Sequence, residues 1–218
     1  MWRQVSTLFV KEMSLEWRNR YALNAIVLYV VSTVFVCYLS FKQVVEPPVW
    51  NALFWVIMLF ASVNAVGKSF ITERPGRLLY YHLLFGPQAF ILAKLLYNAL
   101  LLLGLALLCS GAYMLLIGDL VQDHLMFYLA LALGSLGFSG IFTLMSAIAA
   151  KTENNLSLMA ILSFPVQLPF LITLIKLSKN AVDGLDRSLS LDMVVVLVLI
   201  NVIVVALAYL LFPYLWRD

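Results

Sequence analysis

Charge is what this chain has least of. Lys, Arg, Asp and Glu together make up 11% of its 218 residues, while 64% are hydrophobic. A soluble domain is typically about 25% charged and 45–50% apolar, so a water-soluble fold is excluded and lipid is the solvent. The net charge of +3 comes without a long basic run, which leaves nucleic-acid binding no electrostatic footing. Cysteine and histidine number two each. Cys37 and Cys109 both fall inside hydrophobic runs, with no Cys-x-x-Cys pair, no haem-attachment Cys-x-x-Cys-His and no metal-ligand spacing. That pattern points away from redox and metal chemistry and toward two buried apolar side chains. No short apolar stretch followed by small residues opens the chain, so no cleavable leader is expected and the first hydrophobic run would do the targeting.

What the chain does have is long apolar runs. About 20 mostly apolar residues are needed to cross roughly 30 Å of hydrocarbon as a helix. Six runs qualify: Ala22–Phe41, Val49–Gly67, Gln88–Ile117, Leu125–Ala150, Leu156–Ile175 and Met193–Leu215. None alternates as a barrel strand would, so the fold class is all-α: one polytopic membrane domain, 1–218, with six transmembrane helices. Six spans put both termini on one side. That side would hold ten of the Lys and Arg residues (3, 11, 18, 20, 68, 74, 77, 94, 151 and 217) against four on the other (42, 176, 179 and 187). The positive-inside bias predicts cytoplasmic termini. The Lys176–Asp192 connection is then external, with room for a short helix at most.

Residues 1–21 precede the first span. Trp2, Val5, Phe9, Met13 and Trp17 recur at three- and four-residue steps, so they share a helical face, with basic residues mostly elsewhere. This predicts an amphipathic helix on the membrane surface, either a topology anchor or an elbow leading into the first span.

Residues 70–87 form a charged, aromatic island between the second and third spans. Glu73, Arg74 and Arg77 would each cost about 2.5–3.5 kcal/mol at a helix centre in lipid, so the island stays outside the hydrocarbon, on the cytoplasmic side. Thr72 and Pro75 suit a helix start, and Gly86-Pro87 a stop. The helix between them, Pro75–Phe85, is about 16 Å long, too short to span and too apolar for water. It must lie on the membrane surface, on the bundle, or in a pocket of a cytoplasmic partner. The neighbouring SVNAVGKS (Ser62–Ser69) ends like a phosphate-binding loop, but Ser62 replaces the first glycine and the stretch closes a membrane helix. Nucleotide binding by this chain is therefore not expected.

Gly134, Gly137 and Gly140 recur every third residue in the fourth span, and small residues let helices approach closely in lipid. Pro165 and Pro169, four apart in the fifth span, share one face and favour a kink or hinge. His82 and His124 are the two imidazoles a haem could use, and both read more simply as polar groups facing water. No Asp, Glu, Lys or Arg falls in the core of a span, Lys94 lying near a cytoplasmic end. This disfavours an ion-coupled carrier, as does the lack of related halves. Asn64 and Asn201 are the main polar groups expected inside.

Three ordered blocks carry a family resemblance. They are FVKEMSLEWRNRYALNAIVLYVV, then LFASVNAVGKSFITERPGRLLYYHLLFGPQAFILAKLLYNALL, then LGSLGFSGIFTLMSAIAAKTENNLSLMAILSFPVQLPFLI. Together they resemble the haem exporter protein B family, the membrane permease of the ABC module used in bacterial cytochrome c maturation. Phe70, Glu73, Arg74, Gly76, Leu78, Pro87 and Lys94 match that family's pattern. Pro75 departs from it, and Tyr80–Phe85 is more aromatic than the family norm. The resemblance implies an ABC-2-type permease in the bacterial inner membrane, not itself an enzyme. The island becomes a cytoplasmic coupling helix that meets a separate ATP-binding subunit through Phe70, Glu73, Arg74, Gly76, Arg77, Leu78 and Pro87. The resemblance also implies a haem-handling membrane protein as partner, a periplasmic haem chaperone indirectly, and dimerisation or pairing with another permease. No cofactor is assigned to the chain; haem enters as cargo and ATP stays on the partner subunit. The five tryptophans (2, 17, 50, 55 and 216) form no haem-presenting cluster, and all but Trp55 sit at belt positions. An ABC-2-type exporter of another substrate and a membrane scaffold that moves nothing are the alternative readings.

Overall fold

The computed structural model describes residues 1–18, 20–41, 46–67, 69–70, 84–151 and 155–217. Among them are seven α-helices, one 3-10 turn and no strand. The helices are α1 (Trp2–Arg18), α2 (Arg20–Phe41), α3 (Pro47–Val66), α4 (Pro87–Ile117), α5 (His124–Ala149), α6 (Asn155–Asp183) and α7 (Leu191–Arg217), with the 3-10 turn at Arg187–Ser190. Those from α2 to α7 are long and apolar enough to cross a membrane.

Local sequence explains the boundaries. Proline opens α3 and α4, where its missing N–H would have no intrahelical partner. The Asp123 carboxylate caps α5, accepting from the Met126 N–H at 3.2 Å. At the end of α6, Gly184 adopts φ +65° and the Leu185 N–H reaches back to the Asn180 carbonyl at 3.0 Å. This is a Schellman stop, which needs the left-handed conformation that glycine takes without a Cβ penalty.

α6 is longer than the apolar run indicates. It continues eight residues past Ile175, so the external connection shrinks to a short link and the 3-10 turn. The added turns bury Leu177, Ser178, Ala181 and Val182 and turn Lys176 and Lys179 outward. Two exposed lysines on an amphipathic face had read as loop. Pro165 and Pro169 lie within α6, both exposed, and the helix runs on through them.

α5 is the hub, packed against α3, α4, α6 and α7. Its three glycines explain how four neighbours fit. Three residues turn a helix by about 300°, so each step moves about 60° around the axis. A Cβ on Gly134 would lie 2.9 Å from the Trp55 ring of α3, and one on Gly140 would lie 2.9 Å from Val204 of α7. Between them, a Cβ on Gly137 would run into the Phe170 ring of α6. Each glycine thus admits a bulky side chain from a different helix.

The end of the bundle away from the termini is held by neutral hydrogen bonds and stacked rings. Trp50 donates to the Gly118 carbonyl at 3.1 Å, and Tyr113 donates to the Trp50 carbonyl at 3.0 Å. The Ser178 hydroxyl links Asn51 and the Trp55 indole, at 2.8 and 2.7 Å. Trp50 is wholly buried against Tyr113, Phe54 and Phe127. It is a core residue, not the lipid-belt anchor its position suggested, and the same holds for Trp216. Outside this core, Arg187 grips Asp123 through two bonds of 2.6 and 3.0 Å.

Gly137→Ala is expected to lower the melting temperature of the purified protein. The added methyl forces Phe170 to move, an overpacking cost of about 1–3 kcal/mol against about 1 kcal/mol gained in helix propensity. Adding Phe170→Leu should recover most of the loss. Thermal unfolding of the three variants checks this, and a stabilised Gly137→Ala would contradict the close α5–α6 approach.

Candidate functional site

The candidate site is the end of the bundle where both termini and the island meet. Residues 71–83 lie outside the described set, and with them Glu73, Arg74, Gly76, Arg77, Leu78 and His82. The two roots of the island are described.

At the first root, α3 ends at Val66 and the chain turns through Gly67, with the Ser69 N–H bonded to the Val66 carbonyl at 2.9 Å. A helix C-terminus leaves carbonyls unpaired and carries partial negative charge. Two side chains meet that demand here. Ser146 of α5 donates to the Gly67 carbonyl at 3.0 Å, and the Lys94 ammonium of α4 donates to the Ser69 carbonyl at 2.8 Å. Asn98, one turn further along α4, donates to the Ser69 hydroxyl at 3.2 Å and to Thr143 of α5 at 2.8 Å. At the second root, Gly86 is the N-cap of α4 and Pro87 occupies its first turn. Gly86-Pro87 therefore starts a span, whatever it ends.

Lys94 is 2% exposed, a cation inside an apolar bundle. Such a charge survives only when paired and hydrogen-bonded. Besides Ser69, it has the Glu12 carboxylate of α1 at 3.4 Å, which also accepts from Lys11 at 2.8 Å. Two ring faces also lie beside it, Phe70 at 5.2 Å and Phe90 at 5.4 Å, within cation–π range. Phe70 and Phe90 pack on Phe212 and Trp216 of α7, the closest rings being Phe90 and Trp216 at 4.8 Å. Val5 and Leu8 of α1 belong to the same apolar cluster.

This arrangement revises the expected face of α1. The face turned to the bundle carries Val5, Leu8 and Glu12, at three- and four-residue steps, whereas Trp2 is 74% exposed and Met13 41%. Glu16, half a buried carboxyl, has its pKa raised by burial and by the neighbouring Glu12 charge, with Lys94 acting the other way.

The remaining candidates are dispersed. Gly134, Gly137 and Gly140 sit in the middle of α5, and Pro165 and Pro169 on the outward side of α6. His124 is at the opposite end, 2.8 Å from Asp119. There burial raises the Asp119 pKa, but bonds from His124 and the Val121 N–H outweigh it and leave the carboxyl below its usual range. Asn64 bonds only to its own helix, at the Phe60 carbonyl, while Asn201 reaches the Leu133 carbonyl of α5 at 3.3 Å. The polar groups that join helices most are others: Asn51, Ser178, Lys94 and Asn98. A signal for the last two was present, since Phe90, Lys94 and Asn98 recur at four-residue steps on one face of an otherwise apolar helix.

Glu16→Gln should raise the melting temperature at pH 7 and leave it unchanged below pH 4.5. The acid's folded pKa is raised from 4.5, so its charged form is penalised in the folded state. That penalty is absent below the unfolded pKa and complete above the folded one. Equal melting temperatures for the two proteins at pH 7 would contradict the burial of this carboxyl.

Comparison with known proteins adds one finding. The family model described as CcmB protein matches residues 3–211, nearly the whole chain. No curated protein and no solved structure matches.

Proposed function

The chain belongs to the CcmB family, the permeases of cytochrome c maturation haem export, and on that premise we propose that its island is the docking element for an ATP-binding subunit. Membership implies an ABC complex with an ATP-binding partner and a chain that is not itself catalytic. The partner would press on residues 70–87 from the cytoplasm, with both termini on that side of the bacterial inner membrane. Hydrolysis there would drive release of a haem-loaded chaperone or passage of haem. A haem-handling membrane protein and a second permease copy complete the proposed assembly.

The observation that carries this reading is how both roots of the island are anchored. The first is tied to α4 and α5 by Lys94, Asn98 and Ser146. The second is the first turn of α4 itself. A displacement of the island therefore reaches the α3, α4 and α5 spans together. Glu73, Arg74 and Gly76, with the segment after them, are assigned the contact; Phe70 and Pro87 frame it.

Glu73→Lys is the direct test. The variant should insert in the membrane at the normal level yet lose the ATP-binding subunit on purification, or retain it and lose cytochrome c maturation. Normal assembly together with normal maturation would overturn the coupling role. A tag on the C-terminus of the native chain should bring down an ATP-binding subunit with haem-handling proteins. An ATPase without them would favour an exporter of another substrate, and no ATPase at all a scaffold.

A further inference from the structure

We infer that Lys94 is a latch that fastens the surface helix α1 to the first root of the island, so that the two move as one body. The inference about motion rests on the docking role proposed for the island; the latch itself rests on geometry alone. Three separate elements converge on one ammonium: the Glu12 carboxylate of α1 at 3.4 Å, the Ser69 carbonyl after α3 at 2.8 Å, and α4, which carries the lysine. The ammonium also sits over the Phe70 and Phe90 rings, at 5.2 and 5.4 Å.

The chemistry explains why a lysine does this better than packing would. Between helices in lipid there is little hydrophobic driving force, because an acyl chain solvates an apolar face as well as another helix does. Val5 and Leu8 can exchange α4 for lipid at little cost. Glu12 cannot leave without pulling a carboxylate away from a buried cation, and separating buried opposite charges is strongly unfavourable. The same ammonium also answers the negative end of the α3 dipole, so one group holds both contacts.

The latch is tested on the full chain in lipid nanodiscs, with Cys37 and Cys109 replaced by alanine and a nitroxide at exposed Met13→Cys. In the otherwise native protein the label should report an immobilised α1. Lys94→Met keeps the length of the side chain and removes the charge, and Glu12→Gln removes the partner from the surface helix; each should convert the immobilised signal to a mobile one. The double swap Glu12→Lys with Lys94→Glu should restore part of it. An immobilised α1 in both single variants would overturn the latch, and Glu12→Gln keeps this outcome decisive if Lys94→Met fails to fold.

The coupled motion is read in the complex with its ATP-binding subunit. Latch variants should retain that subunit but lose cytochrome c maturation, and Glu12→Gln should lose it less completely because Lys94 keeps Ser69. Full maturation with a mobile α1 would overturn the one-body movement. Failure of the native chain to bind any ATP-binding subunit would overturn the docking role while leaving the spin-label result to judge the latch.

Discussion

A lysine ammonium buried among aromatic rings has to be answered on every side, and the architecture of one end of this bundle follows from how Lys94 is answered. Its carbonyl partner must come from a place where a carbonyl is free. The C-terminus of α3 supplies one at Ser69. Its counter-charge must come from outside the apolar spans, since carboxylates within them would be as costly as the lysine. α1, which precedes the spans, supplies Glu12. Phe70 and Phe90 add ring faces that attract a cation and pack in turn on Phe212 of α7. Side chains from three elements thereby acquire fixed positions from one charge.

The two ends of the bundle use different physics. Away from the termini, Trp50, Tyr113, Asn51, Trp55 and Ser178 form neutral hydrogen bonds beneath an external Arg187–Asp123 pair. Each of those groups has a partner in a neighbouring helix or loop, and edge-on and tilted rings fill the space between them. Such satisfied networks rigidify a fold. At the terminal end a charge is buried at the junction of α1, α4 and the end of α3. That end also receives the island. α5 connects the two, with Thr143 and Ser146 near the island root and Trp55 packed at Gly134 on the way to the other end.

The spans were legible because their signal is length: twenty apolar residues admit few other structures, and the helices observed cover the six runs. The faces were not. In water an apolar stripe marks the buried side, but on a membrane surface both sides of a helix can be apolar for different reasons. Trp2 and Met13 share the periodicity of Val5, yet they are exposed while Val5 is buried. The residue that tells the bundle side of α1 is Glu12, a charge that hydropathy would have assigned to water. In lipid it is the polar residue, not the apolar one, that marks the interior. The same inversion hid Lys94, which lay close enough to a span end to pass for an interfacial group. It also hid the true end of α6, where Lys176 and Lys179 suggested a loop while Leu177 and Ser178 between them were buried.

Polar contacts therefore carry the mechanical specificity of this molecule, and their distribution says where motion can pass. Apolar faces of α2, α6 and α7 are exposed over much of their length, and where such faces meet lipid they slide or rotate with little change in free energy. Resistance to shear arises only where separation would expose an unsatisfied group in hydrocarbon. Around the island root these groups are concentrated on α3, α4 and α5, and Glu12 extends them to α1. A force applied to the island would thus be carried by α1, α3, α4 and α5. The membrane makes apolar packing permissive, and it is this permissiveness that lets a single buried cation decide which helices move together.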